Sequence, residues 1–73
     1  MELYQLRQFA AVAKYENMTR AAESLNVAQP AVSKTIRNLE SELGAELFER
    51  TGKGLRRTEQ GDILLRYART ILE

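Results

Sequence analysis

Gln29-Pro30-Ala31-Val32-Ser33-Lys34-Thr35-Ile36-Arg37-Asn38-Leu39 is the stretch on which the fold turns. It contains no acid and stops where Glu40 begins. Proline near its start suits the first turn of a helix, whose N–H groups have no intrahelical partner. Val32, Ile36 and Leu39 continue to Leu43 at helical spacing, the signature of one buried stripe. At 3.6 residues per turn, Gln29, Pro30, Ser33, Lys34 and Arg37 share a second face, about a third of a turn away. A helix anchored on one side, with amide, hydroxyl and cationic groups on the other, carries what a protein needs to read base edges.

The segments before it complete a helical hairpin. Leu3, Leu6, Phe9, Ala10 and Ala13 recur at helical intervals, with Gln5, Arg7, Gln8 and Lys14 between them, so residues 2–14 are predicted as an amphipathic helix with an ordinary core face. Glu16-Asn17 breaks that pattern. Asn17 is an N-cap candidate for a short helix that runs on through Leu25. Asn26 tolerates the left-handed conformation that a tight helix–helix turn needs. Val27 is expected to drop into the core beneath the turn, and Ala21 and Ala22 to let the next helix approach closely. Helix, short turn and polar second helix make a helix-turn-helix, although protein-binding helical hairpins share the pattern.

The segments after it differ in kind. Gly44 is a good helix terminator after Leu43. Leu47-Phe48-Glu49-Arg50 and Leu55-Arg56-Arg57-Thr58 flank Thr51-Gly52-Lys53-Gly54, which predicts a small β-hairpin with a glycine-bounded tip. Thr58 is an N-cap candidate, with Glu59 and Asp62 placed to complement the helix dipole. Leu64, Leu65, Ala68, Ile71 and Leu72 form an apolar stripe close to a/d spacing. It reaches the last residues without a cap, so residues 58–73 are expected to begin a longer helix in a longer protein; the stripe is either intramolecular core or a dimer seam, and its run to the end of so small a domain favours the seam.

Composition narrows the function classes. The 73 residues, 44% hydrophobic and 29% charged, fit one globular domain. There is no cysteine or histidine, which removes disulfides, thiolate metal sites and the commonest general base. No enzyme, metal site or cofactor is expected. No apolar run approaches the roughly 20 residues of a membrane span, and no signal pattern opens the chain, so a cytoplasmic, nucleoid-associated location without membrane contact is the default. The net charge of +1 hides an uneven distribution. Residues 1–28 balance, 29–39 carry +2, 40–49 carry −4, 50–57 carry +4 from Arg50, Lys53, Arg56 and Arg57, and 58–73 carry −1. Alternating blocks are more often plain solvated surface than a binding site; here they suggest two basic surfaces, one on the polar helix itself, divided by an acidic edge.

At these residues the chain resembles the N-terminal DNA-binding domain of LysR-type bacterial transcriptional regulators. The matching motifs run in order: Leu6-Arg7-Gln8-Phe9, Thr19-Arg20-Ala21-Ala22-Glu23, Gln29-Pro30-Ala31-Val32-Ser33 and Ile36-Arg37-Asn38-Leu39-Glu40. Glu42-Leu43-Gly44, Leu47-Phe48-Glu49-Arg50 and Thr58-Glu59-Gln60-Gly61 follow, so the likeness covers essentially the whole chain. The resemblance implies a mainly α fold: a winged helix-turn-helix over residues 1–57, then a linker helix from 58 through which two chains form a homodimer. It implies that Gln29, Pro30, Ser33 and Lys34 face the major groove of double-stranded DNA and that Lys53 reaches the minor groove. Thr19, Arg37, Arg50 and Thr51 would lie at phosphates. It implies further a C-terminal domain, absent here, that binds a small-molecule inducer, and RNA polymerase as a further candidate partner. Two residues depart from the family pattern. Ala28 stands where serine or threonine is common, removing a cap worth about 1 kcal/mol. Lys34 stands where arginine is common, which loosens two-pronged recognition of guanine.

Overall fold

The computed structural model describes residues 1–73 and orders them as α1 (Leu3–Tyr15), α2 (Met18–Leu25), α3 (Gln29–Leu43), β1 (Phe48–Thr51), β2 (Gly54–Arg57) and α4 (Glu59–Leu72). The expected mainly α winged helix-turn-helix is the fold observed. Each boundary has a local cause. Asn17 Oδ1 accepts from the Arg20 N–H at 2.9 Å and starts α2. Asn26 is left-handed (φ 60°) and ends it. The N–H groups of Asn26 and Val27 donate back to Glu23 O and Ala22 O, so the orphan carbonyls are satisfied within the turn. Gly44 (φ 65°) closes α3 in the same way, with the Ala45 N–H donating to Glu40 O.

Val27 is a correction to the sequence expectation. Its side chain is 38% exposed, because its backbone closes the turn and leaves the side chain outside. The space beneath belongs to Ala21, Ala22, Val32 and Ile36, all buried. Leu3 and Leu43, assigned to apolar stripes, are also exposed, whereas Gln5 is buried and its Oε1 accepts from the Glu2 N–H at 2.8 Å. The core centres on Phe9, Val12, Val32, Leu39 and Leu47, fully enclosed where α1, α3 and the approach to β1 meet. Burial of such side chains stabilises by about 1.5–3 kcal/mol each. Phe9 and Phe48 stack with centroids 5.5 Å apart and planes tilted by 45°, joining α1 to the wing.

The hairpin pairs Phe48 with Arg57, Glu49 with Arg56, Arg50 with Leu55 and Thr51 with Gly54. Pleating therefore puts Phe48, Arg50, Leu55 and Arg57 on one face and Glu49 and Arg56 on the other. The hairpin also docks on α1. Glu16 ends that helix in the left-handed region (φ 52°), a conformation that costs a non-glycine residue about 1 kcal/mol or more. The carbonyl it turns outward accepts from the Leu55 N–H at 3.2 Å. A side chain at Gly54 (φ 132°) would meet that same carbonyl, so glycine permits the close approach.

The hairpin's base is bolted to α4. Thr58 caps α4 by accepting from the Gly61 N–H at 3.0 Å, and its hydroxyl donates to Glu46 O at 2.6 Å. Its own N–H donates to Leu47 O at 3.1 Å. A Cβ on Gly61 would lie 2.2 Å from that Leu47 oxygen, so only glycine allows α4 to start this close to the strand. Glu40 accepts from the Leu47 N–H at 2.8 Å and ties α3 to the same point.

Candidate nucleic-acid interface

α3 turns Val32, Thr35, Ile36 and Leu39 inward, which leaves the opposite flank for contact. Pro30, Lys34 and Arg37 are exposed there, and Gln29 and Ser33 are half-buried among them. No acid lies between Gln29 and Asn38, and neither Lys34 nor Arg37 enters an ion pair. The Gln29 amide and the Ser33 hydroxyl, one helical turn apart, are joined by a 2.8 Å hydrogen bond. Ala28 supplies no side-chain cap to α3, consistent with its departure from the family pattern.

The wing adds cations, though fewer than its sequence count suggests. Arg57 faces inward: its Nη1 donates to Ala13 O at 2.8 Å and its Nε to Asp62 at 2.7 Å. It is a fastening between α1, β2 and α4. Arg56 lies 3.5 Å from Glu49 across the outer face, a loose, exposed pair. Arg50 and Lys53 are exposed and without an acidic partner. Thr51 holds the tip: its hydroxyl accepts from the Lys53 N–H and donates to Gly54 O.

These groups converge on two grooves on either side of the wing. One, of about 160 Å³, lies between α3 and β1 and is lined by Ser33, Arg37, Arg50 and Met18 among others. The other, of about 700 Å³, lies between the wing and the α1–α2 corner, with Arg20, Thr51, Lys53 and Arg56 on its walls. Thr19, exposed in the first turn of α2, sits beside that corner, where helix N–H groups point outward for an anion. Arg20 was not singled out from sequence. Its guanidinium lies 5.5 Å from the Tyr15 ring centroid, opposite Lys53 across the groove, a placement no local pattern reveals.

The stripe on α4 divides. Leu65 and Ala68 are buried within the single chain, and Leu72 and Leu64 pack at the core edge, so these positions do not form one free seam. Of the expected set, Ile71 alone stands well exposed, at 56%. Ile63 and Tyr67, absent from that expectation, share its face one turn apart and are exposed. With Leu43, Ala45, Leu47 and Leu64 they border an apolar groove of about 300 Å³. The core had first claim on α4, because α1 needs a lid, and the free apolar face is displaced around the helix.

A three-helix core with a helix-turn-helix, a two-stranded wing and a trailing helix defines a winged helix-turn-helix domain. The chain belongs to the lysR family of bacterial regulatory helix-turn-helix proteins, whose family model matches residues 3–62. It is 51% identical over 71 residues to the RuBisCO operon transcriptional regulator of Allochromatium vinosum, covering 97% of this chain and 24% of that protein. It is 43% identical over 72 residues to the HTH-type transcriptional regulator BenM of Acinetobacter baylyi, covering 99% of this chain and 24% of that protein. The chain thus spans about a quarter of the length of the curated relatives it matches. Among solved structures, a CbnR_DBD–DNA complex superposes with a TM-score of 0.93 at 43% identity, over 99% of this chain and 83% of that one. A BenM_DBD complex with catB site 1 DNA gives a TM-score of 0.94 at 43% identity, over 99% and 81% of the two chains.

Proposed function

We propose that this chain binds double-stranded DNA sequence-specifically as part of a transcriptional regulator, with α3 in the major groove and the wing at the adjacent minor groove. One observation carries the reading: the acid-free face of Gln29, Pro30, Ser33, Lys34 and Arg37 shares a groove with Arg50, and Lys53 stands at the wing tip, neither of these two cations held in an ion pair. Unpaired cations hold phosphates and set register, while polar and apolar side chains on the helix face give base recognition. Pro30 offers its ring to a thymine methyl, Lys34 donates to guanine, and Thr19, Arg37, Arg50 and Thr51 take phosphates. The DNA complexes of relatives with the same fold support the DNA-binding reading.

Two copies associate through α4, using Ile63, Tyr67 and Ile71, the apolar residues the core leaves at the surface, with half-buried Leu64 beside them. With one recognition helix per chain, two-fold symmetry sets an inverted-repeat site with half-sites one helical turn apart or a multiple of it. In the whole protein, a small-molecule inducer and RNA polymerase would act through parts outside these residues, in the bacterial cytoplasm. Selection of the chain against random duplex DNA, with the enriched sites sequenced, tests the proposal. An enriched inverted repeat is expected. Binding without enrichment would reduce the chain to a non-specific binder, a single half-site would remove the α4 dimer, and no binding would favour a protein-interaction module.

A further inference from the structure

We infer that Gln29 and Ser33 form a single reading unit, in which Ser33 is a positioning residue that holds the Gln29 carboxamide edge-on for adenine. The inference rests on the DNA-binding reading above. Its basis is the 2.8 Å hydrogen bond between Gln29 Nε2 and Ser33 Oγ on the exposed flank of α3. The two residues lie four apart, so their side chains stack along one face of the helix. Both are half-buried, whereas their neighbours Pro30 and Lys34 are exposed.

A glutamine carboxamide has one edge that presents an oxygen lone pair and an N–H side by side. That edge matches adenine, whose N6 amino group donates and whose N7 accepts. Nε2 carries two hydrogens, and a bond to Ser33 from the one that points away from Oε1 leaves the other, beside Oε1, for the base. Turning the amide over would make Ser33 a donor to Oε1, and the paired edge would again be free. A bond from that outer hydrogen consumes none of the groups needed for two-pronged recognition. It removes rotamer freedom that a long, flexible side chain would otherwise lose on binding. Direct base reading by Ser33 predicts a different outcome, because a hydroxyl pairs with several bases and would specify its own base pair.

The test is a double-mutant cycle read through base preference. Affinities of the wild-type chain and of Gln29→Ala, Ser33→Ala, Ser33→Thr and the double alanine variant are measured on the selected site and on its single-base-pair variants. Gln29→Ala should remove about tenfold discrimination for adenine at one position of each half-site. Ser33→Ala should lower preference at that same position, by about fivefold, and at no other. The double variant should match Gln29→Ala alone, since a positioning residue has nothing left to position. Ser33→Thr keeps the hydroxyl and should keep the preference. Additive losses, or a Ser33→Ala effect at a different base pair, would overturn the inference while leaving DNA reading intact. A wild-type chain that selects no motif would overturn both.

Discussion

The base and the tip of the wing lie a few residues apart and obey opposite rules. At the base, Phe48 is buried against Phe9, Arg57 is bonded to Ala13 O and Asp62, and Thr58 is tied to Glu46 and Leu47. At the tip, Thr51, Gly52 and Lys53 are exposed, and nothing lies within 4 Å of a side chain placed on Gly52. The cations of residues 50–57 form one block in the sequence and separate jobs in the fold. Strand pairing makes the separation: the register that turns Phe48 inward turns Arg57 inward with it and sends Arg56 to the other face. A charge count therefore overstates the surface available to DNA, and the register corrects it.

Substitutions along the wing should grade accordingly. Gly61→Ala attacks the base where no movement is available, since the added carbon meets the Leu47 backbone oxygen. It should destabilise by about 3 kcal/mol, the upper end of overpacking costs, despite alanine's better helix propensity. A denaturation midpoint equal to wild type would mean that α4 can shift on its seat. Arg57→Ala removes the hydrogen bonds to Ala13 and Asp62 and should lower stability by about 1.5 kcal/mol, with Arg57→Lys failing to restore the two-armed geometry. Measured under conditions where the variant is folded, its salt dependence of DNA binding should match wild type; a flatter dependence would place Arg57 on the phosphates after all.

Lys53→Ala is the converse. Stability should stay within about 0.5 kcal/mol of wild type, while affinity falls on all sequences and the log–log salt slope loses about one unit. Unchanged slopes would take the tip off the DNA and erase the contrast. The smallest change belongs to Glu49→Gln, which breaks the exposed pair with Arg56 and should alter the melting midpoint by an amount equivalent to about 0.5 kcal/mol or less. A large loss there would show that the outer face is not the loose surface its geometry describes.

Much of this molecule could be read from local chemistry. Asn17, Asn26, Gly44 and Thr58 end or begin helices because their own backbones and side chains satisfy the terminal groups, and a reader of the sequence has those residues in hand. The polar flank of α3 was legible for the same reason, since helical periodicity fixes which residues share a face. What escaped depended on partners distant in the chain. Arg57 meets Ala13, Glu40 meets Leu47 and Gly54 meets Glu16. The stripe on α4 could not be divided between core and surface for a related reason. Periodicity says that Leu65, Ala68 and Ile71 repeat, but only the position of α1 decides that the first two are lids on the core and the third is free. Glu16 gave no sign of its left-handed backbone, because the wing that uses its carbonyl lies far along the chain.

The hairpin register also makes the wing a ruler. Thr51 pairs with Gly54 beneath the exposed Gly52–Lys53 tip, whereas the hydrogen bonds that fasten the wing to the rest of the domain lie at or below Leu55. Two residues added to each arm would preserve the alternation of faces and carry the tip about 7 Å outward, with the bolted end untouched. The reach of the tip can thus be lengthened in fixed steps while α3 keeps its place, an adjustment open to natural variation and to the engineer alike.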